Sequence, residues 1–212
     1  MTAEYTRNRI LDSAESLFAQ KGISGTSLRA ITKDAQVNLA AVHYHFGSKE
    51  ALLDAVLARR SRPVNQERMK LLSAMREESE GAPLDIEEVL DAYVMPGIRA
   101  VEIAVERSAH IARLLVRIEA QPPEVVEALF KKNLGLVNRA FLEELHRSLP
   151  HLSEETMGER FRFAMGTLSF IFSGNFDLDV IDSHPCPPLD LEKRLRHAIA
   201  FLGAALRAPE TQ

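Results

Sequence analysis

Residues 26–49 read TSLRAITKDAQVNLAAVHYHFGSK. Thr26 is placed to cap a short helix, Ser27 to Ala35, whose inner face is Leu28 and Ile31. Ala35-Gln36-Val37-Asn38 reads as a tight turn with Val37 as its buried pin. Asn38 caps a second helix, Leu39 to Phe46, and Gly47 stops it. Ser48 caps a third, with Leu52, Leu53, Val56 and Leu57 apolar. Helices as short as the first two add little to a core. They make sense when the second must enter a groove of fixed width, and the major groove of B-DNA, about 12 Å wide, accepts one helix.

The second helix divides its faces. Val42 and Phe46, at i and i+4, anchor it inward. Leu39, Ala40, Ala41, His43, Tyr44 and His45 are left near the groove. Small Ala40 and Ala41 allow close approach to bases and contact with thymine methyl groups. His43, Tyr44 and His45 offer donors to phosphates or base acceptors. Lys49 is placed for a phosphate, and Thr26 and Ser27 offer hydroxyl and backbone donors to another. A plain helical hairpin with a solvated polar face is the other reading of the same pattern.

Upstream, Ile10, Leu11, Ala14, Leu17 and Phe18 mark one face of a helix, with Lys21 in its last turn and Gly22 as its cap. Downstream the helices lengthen. Pro63 is expected at a joint or a new helix start, and Gly81-Ala82-Pro83 at another joint. Residues 84–95 repeat apolar residues at helical spacing, and Met95-Pro96-Gly97 is expected to kink or break that helix. Further helices are predicted over 98–119, from Pro122-Pro123 to about Leu149, from Ser153 to about Phe176, and from Asp190 to Arg207. Asp177–Pro188 reads as a loop. The prediction is therefore all-α: a three-helix helix-turn-helix head (residues 1–48) and a larger helical body (49–212).

Charge is also uneven along the chain. Residues 1–62 hold nine Lys/Arg and six Asp/Glu, a balance of +3, while the rest of the chain carries −7 within a total of −4. An anionic partner for this N-terminal part is implied. The chain has 212 residues, 46% of them hydrophobic and 26% charged. That is an ordinary globular composition. The one cysteine, Cys186, excludes an intramolecular disulfide framework. The start, Met1-Thr2-Ala3-Glu4-Tyr5, lacks a basic region followed by an apolar stretch, and no segment reaches the roughly 18 apolar residues of a membrane span. A cytoplasmic protein with no membrane partner is expected.

The run Val37-Asn38-Leu39-Ala40-Ala41-Val42-His43-Tyr44-His45-Phe46-Gly47-Ser48-Lys49-Glu50-Ala51-Leu52, with Thr26-Ser27-Leu28-Arg29-Ala30-Ile31 before it, closely resembles the DNA-binding domain of the tetracycline-repressor (TetR/AcrR) family of bacterial transcriptional regulators. The resemblance covers residues 6–57. It implies a homodimer on double-stranded palindromic operator DNA, with a divergent helical C-terminal domain that dimerises and senses a small molecule. The family's DNA contacts carry over to Thr26, Ser27, Leu39, Ala40, Ala41, His43, Tyr44, His45 and Lys49. Position 43, often Tyr in the family, is His here. The head is also similar to the PsrA-type subgroup, whose members respond to fatty acids or acyl-CoA.

The body carries weaker signals. Arg113 and Arg117, with His110, line one side of a helix and read as a ligand-binding or a solvated face. Phe161, Phe163, Met165, Phe170, Phe172 and Phe176 make their helix apolar nearly all round, which requires a partner subunit or an oily pocket. The dimer interface is expected on 154–176 and 190–207, through Phe170, Leu195, Ile199 and Leu202. An effector pocket is expected from Tyr93, Met95, Ile98, Arg99, Ile103, Leu114, Phe130 and Phe163, with Arg99 holding an acidic headgroup. Such a site suits an elongated, lipophilic ligand. His184-Pro185-Cys186 with His197 is too sparse for a metal site, and Glu143-x-x-His146 is half of a di-iron motif without its counterpart. No nucleotide-binding or nucleophile motif is present. No metal, cofactor or catalytic group is expected. The alternative function is a helical lipid-binding carrier or enzyme, which would have no use for a groove-sized helix with Ala-Ala at its tip.

Overall fold

The computed structural model describes residues 2–103, 114, 117, 118, 121–173 and 191–210. Among them are eight helices: α1 (Ala3–Lys21), α2 (Leu28–Asp34), α3 (Leu39–Phe46), α4 (Lys49–Glu78), α5 (Ile86–Ile103), α6 (Pro123–Ser148), α7 (Glu154–Ser173) and α8 (Leu191–Arg207). No strand occurs among the described residues. The all-α expectation holds, and its local punctuation is the reason. Asn38 Oδ1 accepts from the Ala41 amide at 2.8 Å. Ser48 Oγ accepts from Ala51 at 3.1 Å, Asp85 Oδ1 from Glu87 and Glu88 at 3.0 and 3.1 Å, and Ser153 Oγ from Thr156 at 3.2 Å. Each cap satisfies an amide that its helix leaves without a partner. Gly22 and Gly47 end α1 and α3 at φ 76° and 78°, a region L-residues avoid.

The chain forms two compact units, Met1–Val64 with Val101–Gly135, and Asn65–Ala100 with Leu136–Gln212. The first has a core of Ile10, Leu11, Ala14, Phe18, Ile31, Val42, Leu52 and Val56, joined by Leu114, Ile118 and Leu129. Ser13 Oγ donates to the Ile31 carbonyl at 3.1 Å and ties α1 to α2. Buried Glu15 meets Arg59 at 2.6 Å and Arg60 at 2.5 Å. Burial pushes its carboxyl up, but hydrogen bonds from Arg60 and Arg59 outweigh that and hold it below the usual carboxylate range.

The second unit packs Val89, Leu90, Tyr93 and Val94 of α5 with Phe141 and Leu145 of α6, Phe161 of α7, and Leu195, Ile199 and Leu202 of α8. Tyr93 meets Phe141 edge-on at 5.1 Å. Glu144, fully buried, accepts from Arg76 Nε at 2.6 Å and Arg147 Nη1 at 3.3 Å. Helices α7 and α8 run antiparallel and are locked at one end. Arg160 donates to the carbonyls of Leu206, Ala208 and Pro209, while Glu210 accepts from Ser153 and Thr156 at the start of α7.

Several expectations need correction. Pro63 marks no joint, because α4 runs through it. It is exposed, so water can serve the carbonyl it leaves unpaired. Pro96 does not break α5. Val94 and Ile98, on either side of it, are both fully buried, and that packing holds the helix together across the missing hydrogen bond. Leu195, Ile199 and Leu202 are buried inside their own chain and are not open to a second subunit; the large apolar side chains that α7 and α8 expose are Phe163, Phe170 and Phe201. Phe161 is buried, so α7 is covered on one side only. The expected loop 177–188, with Cys186 and His184, lies outside the described residues, as do His110, Arg113 and Phe176.

Candidate nucleic-acid interface

The candidate interface is built on α3 of the first unit. Eight residues give it about two turns. Val42, fully buried, pins it to the core, with Ala41, Phe46 and the turn residue Val37 packed alongside. The turn takes its shape at Gln36, whose φ is 49°. Gln36 Oε1 is held by Arg9 Nη2 of α1 at 2.9 Å, so the turn is braced from the preceding helix.

What remains outside is Leu39, Ala40, His43 and Tyr44, spaced i, i+1, i+4 and i+5. These four share one face. Tyr44 is 82% exposed, the most of any large apolar or aromatic side chain on α3. Its ring meets His45 edge-on at 5.0 Å, and His45 is half-buried. His43 Nδ1 lies 3.0 Å from the Gly47 carbonyl, an acceptor, so Nδ1 carries the proton there. Lys49 opens α4, half-buried, and Glu50 beside it is held below the usual carboxylate range by its own backbone amide and then by the Ser48 hydroxyl.

Ser27, not Thr26, caps α2: its Oγ accepts from the Ala30 amide at 3.1 Å, and the residue is exposed. Thr26 is 1% exposed, and its hydroxyl turns inward to the carbonyls of Gly22, at 2.7 Å, and Leu17, at 3.1 Å. It fastens the α1–α2 loop and is withdrawn from the set facing an anionic partner. Ala41 is likewise turned partly into the core. Sequence reading missed Arg7, whose guanidinium lies 5.4 Å over the Phe46 ring, and exposed Arg29 and Lys33 on α2. Helical spacing alone could have found the last two.

The expected effector residues do not gather in one unit. Tyr93, Met95, Ile98, Arg99 and Phe163 belong to the second; Ile103, Leu114 and Phe130 belong to the first. Leu114 is part of the core that supports α1 and α4. Ile98 is fully buried, whereas Arg99 is exposed and Phe163 is 68% exposed. Two hollows lie in the first unit, one against Arg9, Asp12, Ser13, Asp34 and Ala35, the other against Ile23, Lys49, Leu53, Val125 and Leu129 among others; none of the eight lines either. His146 Nε2 is 3.0 Å from the Leu152 carbonyl, and Glu143 is exposed, so that pair shares no ligand geometry. No cluster of three or more metal-ligating side chains occurs among the described residues, and none of their helices is long and apolar enough to cross a membrane.

A short helix capped by Asn, pinned by one buried Val and offering small and hydrogen-bonding side chains outward defines a helix-turn-helix DNA-binding protein. Two family models match the chain: "Bacterial regulatory proteins, tetR family" over residues 10–56 and "Tetracyclin repressor-like, C-terminal domain" over residues 91–205. The chain belongs to the TetR family of transcriptional regulators. Members of this family bind DNA, act as dimers and are regulators rather than enzymes, which removes the carrier-or-enzyme alternative. The probable HTH-type transcriptional regulator YttP of Bacillus subtilis is 45% identical over 53 residues, 25% of this chain, and the match spans about a quarter (26%) of that relative. The HTH-type transcriptional regulator UidR of Escherichia coli K12 is 26% identical over 189 residues, covering 80% of this chain and 92% of that protein. Among solved structures, the fatty acid degradation regulator FadR from Bacillus halodurans aligns with a TM-score of 0.61 at 17% identity over 96% of this chain and 97% of the other.

Proposed function

We propose that the chain is an effector-responsive dimeric repressor. Its head, residues 1–48, reads a palindromic operator, and its body, residues 49–212, dimerises and takes a lipophilic small molecule such as a fatty acid or acyl-CoA. The observation that carries this reading is the exposed face of α3, where Leu39, Ala40, His43 and Tyr44 stand out from a helix pinned by Val42. Ala40 at the tip lets the backbone approach base edges, and Ser27, Lys49, Arg29 and Lys33 surround the face with donors for phosphates.

A single head covers few base pairs, and two related by a twofold axis roughly add their binding energies. Phe163 and Phe170, one helical face apart by seven residues, and Phe201 on α8 supply the surface for that pairing. Large exposed aromatics of this kind mark protein contacts. The effector class draws on the head's likeness to fatty-acid-responsive regulators and on the phenylalanines gathered on α7, Phe161, Phe163 and Phe170. An effector that favours a head spacing unsuited to successive major grooves lowers operator affinity.

The test is a fluorescence-anisotropy titration of the chain against DNA from its own gene's neighbourhood. Nanomolar binding at two chains per duplex, salt-dependent and lost on scrambling one half-site, is expected. Equal affinity for scrambled and native fragments overturns the operator reading.

A further inference from the structure

The end of α3 has an unusual backbone. Gly47 has φ 78° and ψ −58°, and the Ser48 amide donates to the Phe46 carbonyl at 2.9 Å. Together these make a γ-turn of the rare, strained kind. A Cβ built at Gly47 would meet nothing within 4 Å. The glycine is therefore required by its backbone angle and not by crowding.

The turn carries the Gly47 carbonyl to within 3.0 Å of His43 Nδ1. The Gly47 amide meanwhile donates to the His43 carbonyl at 3.0 Å. Residue 43 is thus tied to residue 47 twice, once through the main chain and once through the ring. A carbonyl only accepts, so Nδ1 holds the proton, and Nε2 of the neutral imidazole is left as an acceptor. His43 is exposed on the face it shares with Leu39 and Ala40, and its Nε2 has no hydrogen-bond partner among the described residues.

That tautomer selects its partner. Phosphate oxygens are acceptors, and an unprotonated Nε2 gains nothing from them. In the major groove, guanine presents the acceptors N7 and O6, and thymine presents O4 and a methyl group. The donors there are the amino groups of adenine, at N6, and cytosine, at N4. Small Ala40, three residues earlier on the same face, lets the helix come close to base edges.

We infer that His43 is a specificity-determining residue, which reads the amino group of one adenine or cytosine in each half-site by accepting from it at Nε2. This deepens the operator reading and rests on it, and the two fail differently under test.

The experiment is selection by the full chain, wild type and His43→Ala, from random-sequence DNA duplexes in neutral to mildly alkaline buffer, followed by titration of the selected duplex. The wild type enriches an inverted repeat. His43→Ala enriches the same repeat with the preference lost at one base pair of each half-site, which also shows that the variant folds. At that base pair, N6-methyladenine or N4-methylcytosine keeps Watson–Crick pairing and puts a methyl group where the outward amino hydrogen was. It lowers wild-type affinity about tenfold per half-site and leaves that of His43→Ala unmoved. Exchanging the purine for its 7-deaza analogue, which lacks the N7 acceptor, leaves both unmoved. The opposite pattern, sensitivity to the 7-deazapurine and not to the methyl group, makes His43 a donor and overturns the proposal. So does a His43→Ala chain that loses affinity evenly on all sequences, the mark of a phosphate contact, or one that selects the wild-type repeat unchanged. Wild-type affinity that amino methylation reduces nowhere in the repeat overturns it without recourse to a variant. In all these cases the operator reading stands. A wild-type chain that enriches no repeat overturns both.

Discussion

Two surfaces of this chain leave large side chains in water, and they differ in what surrounds those side chains. On α3, Tyr44 and Leu39 stand beside Ala40 and His43, with Ser27, Arg29, Lys33 and Lys49 nearby. On α7 and α8, Phe163, Phe170 and Phe201 stand among small residues, Gly166, Thr167, Ala200 and Ala204, with the self-paired Glu159 and Arg162 and with His197 a turn or less away. The first border suits a polyanion that must be approached closely. The second suits a surface of its own kind, because small residues allow two helices to approach and aromatics fill what is left. Exposure alone would have scored the two alike; the neighbours separate them.

The sharpest way to break this comparison is Ala40→Glu. A carboxylate at the tip of α3 meets the negative groove, so operator affinity should fall at least about 100-fold, roughly 3 kcal/mol, with Tm unchanged. A gel shift in which the variant binds like wild type removes α3 from the interface. Next comes Phe163→Glu or Phe201→Glu. Each should convert the dimer to monomer in sedimentation equilibrium at micromolar concentration and weaken operator binding about tenfold or more through lost pairing of heads. Dimers that persist in both variants move the interface elsewhere.

A smaller effect tests whether the head's fold is independent of its binding face. Glu15→Gln should cost about 2 kcal/mol near pH 7, since it leaves Arg59 and Arg60 without their shared anion, which is buried while they are only partly so. Because the folded pKa of Glu15 is depressed, its contribution is present above the unfolded value, about 4.3, and is lost as pH falls through the folded one. The Tm gap between variant and wild type should therefore close as the pH drops below about 4. A gap that persists in acid shows that the carboxylate charge is not its source. The smallest effect is that of Lys49→Ala, which should reduce the slope of log affinity against log salt by about one unit per chain and weaken all sequences alike. A loss confined to one sequence would make Lys49 a base reader.

The head was legible because its signals are local. Asn38, Val42, Gly47 and Ser48 set the start, pin and end of α3 and the start of α4 through contacts within a few residues. Thr26 was misread since its side chain answers to Leu17 and Gly22, across a loop that spacing alone does not fold. In the body the helices were readable and their neighbours were not. Leu195, Ile199 and Leu202 announced an apolar face, but periodicity does not say whether that face meets its own chain or another. Arg99 and Arg68 show the same limit. Both are single cations on amphipathic helices, and only packing reveals that one is in water and the other is buried. A hint existed: Val64, Arg68 and Leu72 share a face at intervals of four, so the arginine sits where an apolar residue belongs.

The lock between α7 and α8 has a consequence for how the molecule is made. Arg160 grips carbonyls at residues 206, 208 and 209, and Ser153 with Thr156 waits for Glu210. During synthesis α7 leaves the ribosome with its apolar side bare and its first turn unfastened, and it stays so until residue 210 has been added and released. The head, whose core draws on α1–α4 and on Leu114, Ile118 and Leu129, uses no residue beyond 135 and can be complete before then. A nascent chain is thus able to present a finished reading helix before α7 and α8 are locked together, so that lock is the late step of biogenesis. Any fusion that masks the carboxylate at 210 should delay that step and leave the chain exposed to proteases for longer.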